Sequence, residues 1–236
     1  MNPYLRKELI ADMLFWVKKA KEQIKTIFGD FLDTERFNIL LGHEESKNKD
    51  DILKLCEIEY IAPGDAAKTN LSGNSVNYHI SNTVYEHIPL ETIRDILTEG
   101  GRIITEEGLF INIIDYADHF SCVDKNISVI NFLQYNDKEW KKYSGNRYAY
   151  TNRARHDEFI ELFKSAGHDF IEIAENKSKM AKEILENGKI KLDARFEVKG
   201  MEILSITGGT FITKVNKDKR RHISNKTGEK VPVEAD

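Results

Sequence analysis

"VNYHISNTVYEHIP", residues 76–89, is the stretch on which the fold turns. Val76, Tyr78 and Ile80 alternate with Asn77 and His79, the period-two pattern of a half-buried strand. The alternation then gives way to Ser81, Asn82, Glu86 and His87, and Pro89 closes the stretch. In an open parallel sheet, ligands bind outside the carboxyl ends of the strands. A strand that runs into ionisable groups is therefore either delivering a site or only reaching the surface, and its neighbours in sequence decide between the two.

On the amino-terminal side, "IEYIA" (58–62) reads as a short strand stopped by "PGD". On the carboxyl-terminal side, "LETIRDILTEGGRIITEE" (90–107) is helical in its first half, with Ile93, Ile96 and Leu97 on one face and Gly100 and Gly101 interrupting it. "GLFINIIDY" (108–116) is a nearly continuous apolar run, as in a strand covered on both sides. "TNRARHDEFIELFKSAGH" (151–168) reads as a helix capped by Thr151 or Asn152. Phe159, Leu162, Phe163 and Ala166 form its apolar face, and Gly167 stops it. A strand at 169–175, a helix at 177–187 and a strand at 202–215 with a Gly-Gly break follow. Ahead of all this, residues 4–28 carry a helical stripe ended by Gly29 and Asp30, and a polar connection lies around 43–51. Strand and helix in alternation predict an α/β fold: a mostly parallel sheet with an antiparallel final strand and helices on both faces.

Composition narrows the function. With 236 residues and 40% hydrophobic content the chain can bury a real core. A net charge of −4 argues against general nucleic-acid binding, which needs a basic face. The basic concentration "KVNKDKRRHISNKTGEK" follows the last strand and reads as a solvated tail. Cys56 and Cys122 form no CxxC pair, so neither a disulfide framework nor a structural zinc site is expected. The amino terminus lacks the signature of a signal peptide, and no apolar run is long enough to span a bilayer, so a cytoplasmic protein without membrane contact is expected.

Three polar clusters follow the three strand-like segments: Gly64 and Asp65; Ser81, Asn82, Glu86 and His87; Asp115, Tyr116, Asp118 and His119. All three should meet on one edge of the sheet. Blander readings stand beside this one. Asp65 after Pro-Gly is a common turn residue. Glu86 and His87 fit the first turn of a helix. Asp115, Asp118 and His119 have a spacing that suits a metal, but no further ligand set is evident and none is expected. With no GxSxG and no marked nucleophilic cysteine, acyl transfer is disfavoured. A second group, in "YNDKEWKKYSGNRYAYTNRARHDEF", interleaves Trp140, Tyr143, Tyr148 and Tyr150 with Lys141, Lys142, Arg147, Arg153 and Arg155. It reads as a substrate loop whose aromatics wall a pocket and whose arginines hold an anion, or as a surface loop with solvated cations.

"IEYIAPGDAAKTNLSGNSVNYHISNTVYEHIPLETIRDIL" resembles the central part of a class I S-adenosylmethionine-dependent methyltransferase, with its "gDa" step and "SN.vlEHv" strand end. "GLFINIIDYADHF" resembles the fifth strand of that Rossmann-like fold, "YTNRARHDEFIELFKSAGH" the following helix, and the closing strands its antiparallel hairpin. The resemblance implies S-adenosylmethionine as cofactor and methyl transfer, and the Tyr- and Arg-rich loop suggests a small-molecule or glycan-type acceptor. It implies that Asp65 and Ala66 read the adenine, that Ser81 and Asn82 line the methionine side, and that Glu86, like His87, borders the cofactor or acceptor. His87, Asp115 and His119 would face the acceptor, and Tyr150, Arg153 and Arg155 would bind it.

The chain departs from the family pattern at three places. The Gly-rich first turn "D.G.G.G" and the ribose-binding acid after the second strand are absent, the only glycines before residue 58 being Gly29 and Gly42. Asn77 stands where the family has an aspartate. The resemblance therefore implies an incomplete methyltransferase sheet over 55–215, preceded by a helical segment at 1–54 and followed by a polar, disordered tail at 216–236. Such a sheet has an exposed edge, which predicts a truncated chain, a partner chain or homo-oligomer that covers the edge, or a rearranged pairing. Two other readings remain: a non-catalytic or partner-dependent remnant without cofactor affinity, and a nicotinamide-dependent enzyme, for which no GxGxxG is present.

Overall fold

The structure, a computed structural model, describes residues 15–42, 49–144 and 150–217. Part of the expected opening helix, most of the polar connection, the centre of the aromatic and basic loop and nearly all of the tail lie outside those residues. The chain divides into two compact units, Met1–Gly64 and Asp65–Asp236.

The first unit is helical. Residues 15–19 and α1 (Lys21–Phe28) are helical, and Gly29 ends α1 with a φ of 48°. Asp33 caps α2 (Thr34–Leu41) by accepting from Arg36 N at 3.0 Å. Arg36 then ties α2 to α3 (Lys49–Leu55) by donating to Leu55 O at 2.8 Å, and pairs with Glu57 at 3.2 Å. Residues 58–62, expected as a strand, do not form one: they carry no ladder, and Ile58, Tyr60 and Ile61 stand exposed. A strand needs a paired neighbour, so a short apolar run without a partner strand is not enough to make one.

The second unit is a four-stranded sheet in the order β1-β2-β4-β3, built from β1 (Val76–Asn82), β2 (Ile104–Asp115), β3 (His168–Lys177) and β4 (Ile206–Val215). β1 and β2 are parallel, whereas β4 is antiparallel to both β2 and β3. Three strands therefore point one way and β4 the other, as the sequence pattern predicts. Helices α4 (Leu90–Ile103) and α7 (His156–Ser165) pack on each other, and α7 lies against β3 and β4. They bury Ile93, Leu97, Phe159 and Phe163 against Phe110, Ile114 and Phe211 of the sheet. Each such side chain contributes about 1.5–3 kcal/mol when fully buried. On the other face of β1 and β2, Tyr78, Ile80 and Ile113 are exposed, and β1 is an edge strand.

A smaller core sits around Trp140. It joins α5 (Phe120–Val123), α6 (Asp137–Ser144), α8 (Lys179–Glu186), α9 (Ala194–Glu197) and α10 (Met201–Leu204) through the segments between them, burying Ile130, Phe132, Leu133, Ala181, Phe196 and Leu204. No helix among the described residues is long and apolar enough to cross a membrane.

Two glycine pairs do not break their elements. Helix α4 runs through Gly100 and Gly101. A Cβ at Gly100 would stand 2.8 Å from the Phe110 ring, so glycine lets the helix approach the sheet there. β4 likewise runs through Gly208 and Gly209, where a Cβ at Gly209 would meet Tyr116 Oη at 2.9 Å. The helix expected from 151 begins only at His156. Arg155 N donates to Glu158 Oε2 at 2.9 Å, so Arg155 and not Thr151 or Asn152 occupies the cap.

Candidate functional site

β1 and β2 are parallel neighbours, so their carboxyl ends open on the same edge of the sheet, with Ser81 opposite Asn112 and Asn82 opposite Ile113. Thr83 holds a left-handed φ of 50°, uncommon for a β-branched residue, while its N–H donates to Ile113 O at 2.8 Å. This pins the exit of β1 to β2. The chain then makes one 3-10 turn, Tyr85–His87. Asn152 clamps that turn from a distant loop: its Nδ2 donates to Tyr85 O and Ile88 O, both at 2.8 Å, and its N–H to Glu86 O at 2.9 Å. With Tyr85 anchored in the core, Glu86 and His87 are held in place.

Glu86 is 3% exposed, and neither carboxylate oxygen accepts a hydrogen bond from another residue. Burial raises its pKa above the usual carboxylate range. His87 Nδ1 lies 2.8 Å from Tyr150 O, and its Nε2 lies 4.0 Å from Glu86 Oε1. The His119 ring, arriving from the loop after β2, is 4.8 Å from the His87 ring between centroids. His119 Nε2 is 3.4 Å from Asp115 Oδ2, and Asp115 Oδ1 accepts from Ala117 N at 2.8 Å. The Asp115 carboxylate holds His119 above the usual imidazole pKa, with burial opposing. Burial pushes Asp115 up, but the contacts with His119 and Ala117 outweigh it and the carboxyl lies below its usual range. One potential ligand atom from each of Glu86, His87 and His119 lies within 4.8 Å of the others.

Beneath this cluster, Ser81 Oγ and both side-chain polar atoms of Asn112 are buried without a protein partner. Buried polar groups almost always have partners, so these atoms are open to a water or a ligand. Beside the cluster lies a cleft of ≈ 670 Å³, with His87, Trp140, Tyr150, Asn152, Arg153 and Arg195 among its walls.

The other expected site residues divide. Asp65 and Ala66 are exposed on a separate loop, where Asp65 Oδ1 accepts from Ala67 N at 2.9 Å. The following segment is fastened at the opposite, amino end of β1 and β2, through Thr69 N to Glu99 Oε1 at 2.9 Å and Ser75 N to Ile103 O at 2.7 Å. Asp118 Oδ1 accepts from Phe120 N at 3.0 Å in its own turn. Tyr150 and Arg153 line the cleft, but the Arg153 guanidinium is bonded inward, to Phe132 O at 2.9 Å and to Asp137 at 2.5 Å.

Arg155 is fully buried and belongs to the framework. It donates to Tyr116 O at 2.8 Å, Ile206 O at 2.5 Å and Leu204 O at 3.3 Å, and its guanidinium lies 5.6 Å from the Tyr116 ring centre. Burial lowers its pKa to about 10, so it remains a cation at neutral pH. Sequence reading passed over Asn112, whose signal is a lone amide in an apolar strand. It also passed over Asp137 and Arg195, which reach the cleft only through packing of the second core.

No known protein family matches the chain as a sequence, and no curated protein does. Solved structures with a partial likeness include a Pyrococcus horikoshii protein, 13% identical over 71% of this chain and 65% of that one, with a TM-score of 0.43. A geranyl diphosphate C-methyltransferase from Streptomyces coelicolor, solved with S-adenosyl-L-homocysteine, is 10% identical over 71% of this chain and 59% of that one, with a TM-score of 0.43. An S-adenosylmethionine-dependent methyltransferase from Methanosarcina mazei is 8% identical over 64% of this chain and 65% of that one, with a TM-score of 0.36. The chain spans less than two thirds of the length of each of these three structures.

Proposed function

We propose that the chain serves S-adenosylmethionine-dependent methyl transfer to a small-molecule or glycan-type acceptor. The observation that carries this reading is the convergence of Glu86, His87, Asp115 and His119 at the carboxyl ends of two adjacent parallel strands, beside a cleft. Ser81 Oγ and the Glu86 carboxylate, buried and without hydrogen-bond partners, fit the polar methionine end of the cofactor, with Asn82 at the same strand end. Asp65 and Ala66 remain the proposed adenine contacts.

The cofactor supplies an electrophilic methyl carbon on a sulfonium sulfur. For the protein, the task is to position the acceptor and take its proton. His119, turned and made more basic by Asp115 at 3.4 Å, is suited to that proton when neutral, and His87 borders both cluster and cleft. Trp140 and Tyr150 wall the acceptor, and Arg153 shapes that wall. Arg155 is left out of acceptor binding because it is fully buried and its Nη1 and Nη2 groups hold backbone carbonyls.

Calorimetry of the folded chain with S-adenosylmethionine and S-adenosylhomocysteine tests the reading. Saturable binding is expected, weakened by Asp65→Ala and by Glu86→Gln. A chain with intact circular dichroism that binds neither compound would overturn independent cofactor binding. Unchanged affinity in Asp65→Ala would refute the adenine assignment alone.

A second reading has its own support. The edge strand β1 with exposed Tyr78 and Ile80 suits a partner-dependent chain, in which a second copy or another protein covers that edge. Light scattering under the same conditions separates the two: a monomer that binds cofactor favours the first.

A further inference from the structure

The cluster at the strand ends has the composition of a metal site. We propose that Glu86, His87 and His119 bind one divalent transition-metal ion, of the zinc, cobalt or manganese type. The three candidate ligand atoms lie within 4.8 Å of one another. A tetrahedral ion with bonds of about 2.0–2.1 Å needs its ligands roughly 3.3 Å apart, so side-chain rotations of about an ångström would close the set.

Three features make this more than a chance group of titratable residues. Glu86 is 3% exposed and neither oxygen accepts a hydrogen bond from another residue, so its carboxyl group is held out of water within the cluster. A cation offsets that desolvation directly. His87 is oriented from behind: Nδ1 lies 2.8 Å from Tyr150 O, and since a carbonyl only accepts, Nδ1 carries the proton and the Nε2 lone pair is free. A carbonyl behind a ligating imidazole is the usual outer support of a metal-bound histidine. Asp115, 3.4 Å from His119 Nε2, steadies the second imidazole in the same way or is the next carboxylate in reach of the ion.

Two neutral imidazoles with one carboxylate carry a single negative charge and mix nitrogen with oxygen. That donor set suits first-row transition ions and disfavours magnesium and calcium, which take oxygen. Three protein ligands leave coordination positions open, as in catalytic rather than structural sites. His87 also lines the cleft, so an oxygen donor of a bound acceptor has a route to the ion. Glu86 and His119 are shared with the methyl-transfer reading: with an ion bound they are its ligands rather than cofactor contact and base, and ion binding and cofactor binding are measured separately.

The test is titration of the full chain with Co2+ and Zn2+, read by calorimetry and by the visible absorption of Co2+. One ion per chain is expected, with a dissociation constant at or below the micromolar range and no competition from a hundredfold excess of Mg2+. His87→Gln, His119→Gln and Glu86→Gln should each weaken binding tenfold or more, and Asp115→Asn less. Circular dichroism and the urea midpoint confirm that each variant is folded; a variant that fails this check is replaced by the corresponding Ala substitution. Overturning results are absence of saturable binding, displacement by Mg2+, or His87→Gln and His119→Gln variants that bind Co2+ like the parent. Failure to bind S-adenosylmethionine with Co2+ binding intact would overturn independent cofactor binding and leave this proposal standing.

Discussion

His87 Nδ1 lies 2.8 Å from the backbone oxygen of Tyr150, 63 positions away in the chain. That contact settles the proton on Nδ1 and turns the Nε2 lone pair toward Glu86, 4.0 Å away. With the ring neutral, nitrogen-15 spectra should show His87 as the Nδ1–H tautomer. A dominant Nε2–H form would contradict the arrangement.

Asp115 raises the affinity of His119 for its proton. Asp115→Asn should therefore lower the His119 titration midpoint followed by proton NMR, and an unchanged midpoint would remove Asp115 as the cause. Stability follows the signs of the two shifts. The raised imidazole stabilises the fold fully below its unfolded pKa of about 6.5, and that stabilisation fades as pH rises through the folded value. The depressed carboxyl of Asp115 stabilises the fold above its unfolded pKa of about 3.9, and that contribution fades as pH falls through the folded value. The stability difference between parent and Asp115→Asn should peak between these limits and shrink toward pH 8.

Gly100→Ala tests the contact between α4 and β2. Helix propensity alone would favour alanine by about 1 kcal/mol. The added Cβ would press on the Phe110 ring at 2.8 Å and on His79 Cδ2 at 3.1 Å. Overpacking of that kind costs about 1–3 kcal/mol, so net destabilisation in urea unfolding is expected. A more stable variant would show that the helix can shift at no cost.

Arg155→Met should be among the most damaging single changes in the second unit. It leaves the carbonyls of Tyr116, Leu204 and Ile206 without their donor, which predicts a loss of about 3–5 kcal/mol by denaturant unfolding. A loss below about 1 kcal/mol would mean that these carbonyls find other partners.

Much of the fold is legible in the sequence because it rests on local periodicity. The alternation at 76–82, the apolar run of β2 and the stripe Phe159, Leu162 and Phe163 each find the element they specify. Misreadings occur where a residue type has two physical uses. Gly100 and Gly209 look like breaks but are points of close approach, because only the partner surface tells which. Ile58 to Ala62 is a short apolar run like a strand, yet a strand is a property of a pair. Arg155 looks like an anion holder, and its neighbours make it a clamp on carbonyls.

The sequence by itself determined the α/β order, the polar ends of β1 and β2, and the candidacy of Glu86, His87, Asp115 and His119. Those follow from patterns over a few residues and from the rule that parallel strands open their carboxyl ends on one edge. Tertiary structure alone decided that Glu86, His87 and His119 converge and that Tyr150 O selects the His87 tautomer. Such relations join residues tens of positions apart, and their distances are fixed by how α7, the Asn152 clamp and the second core pack, which no local pattern encodes.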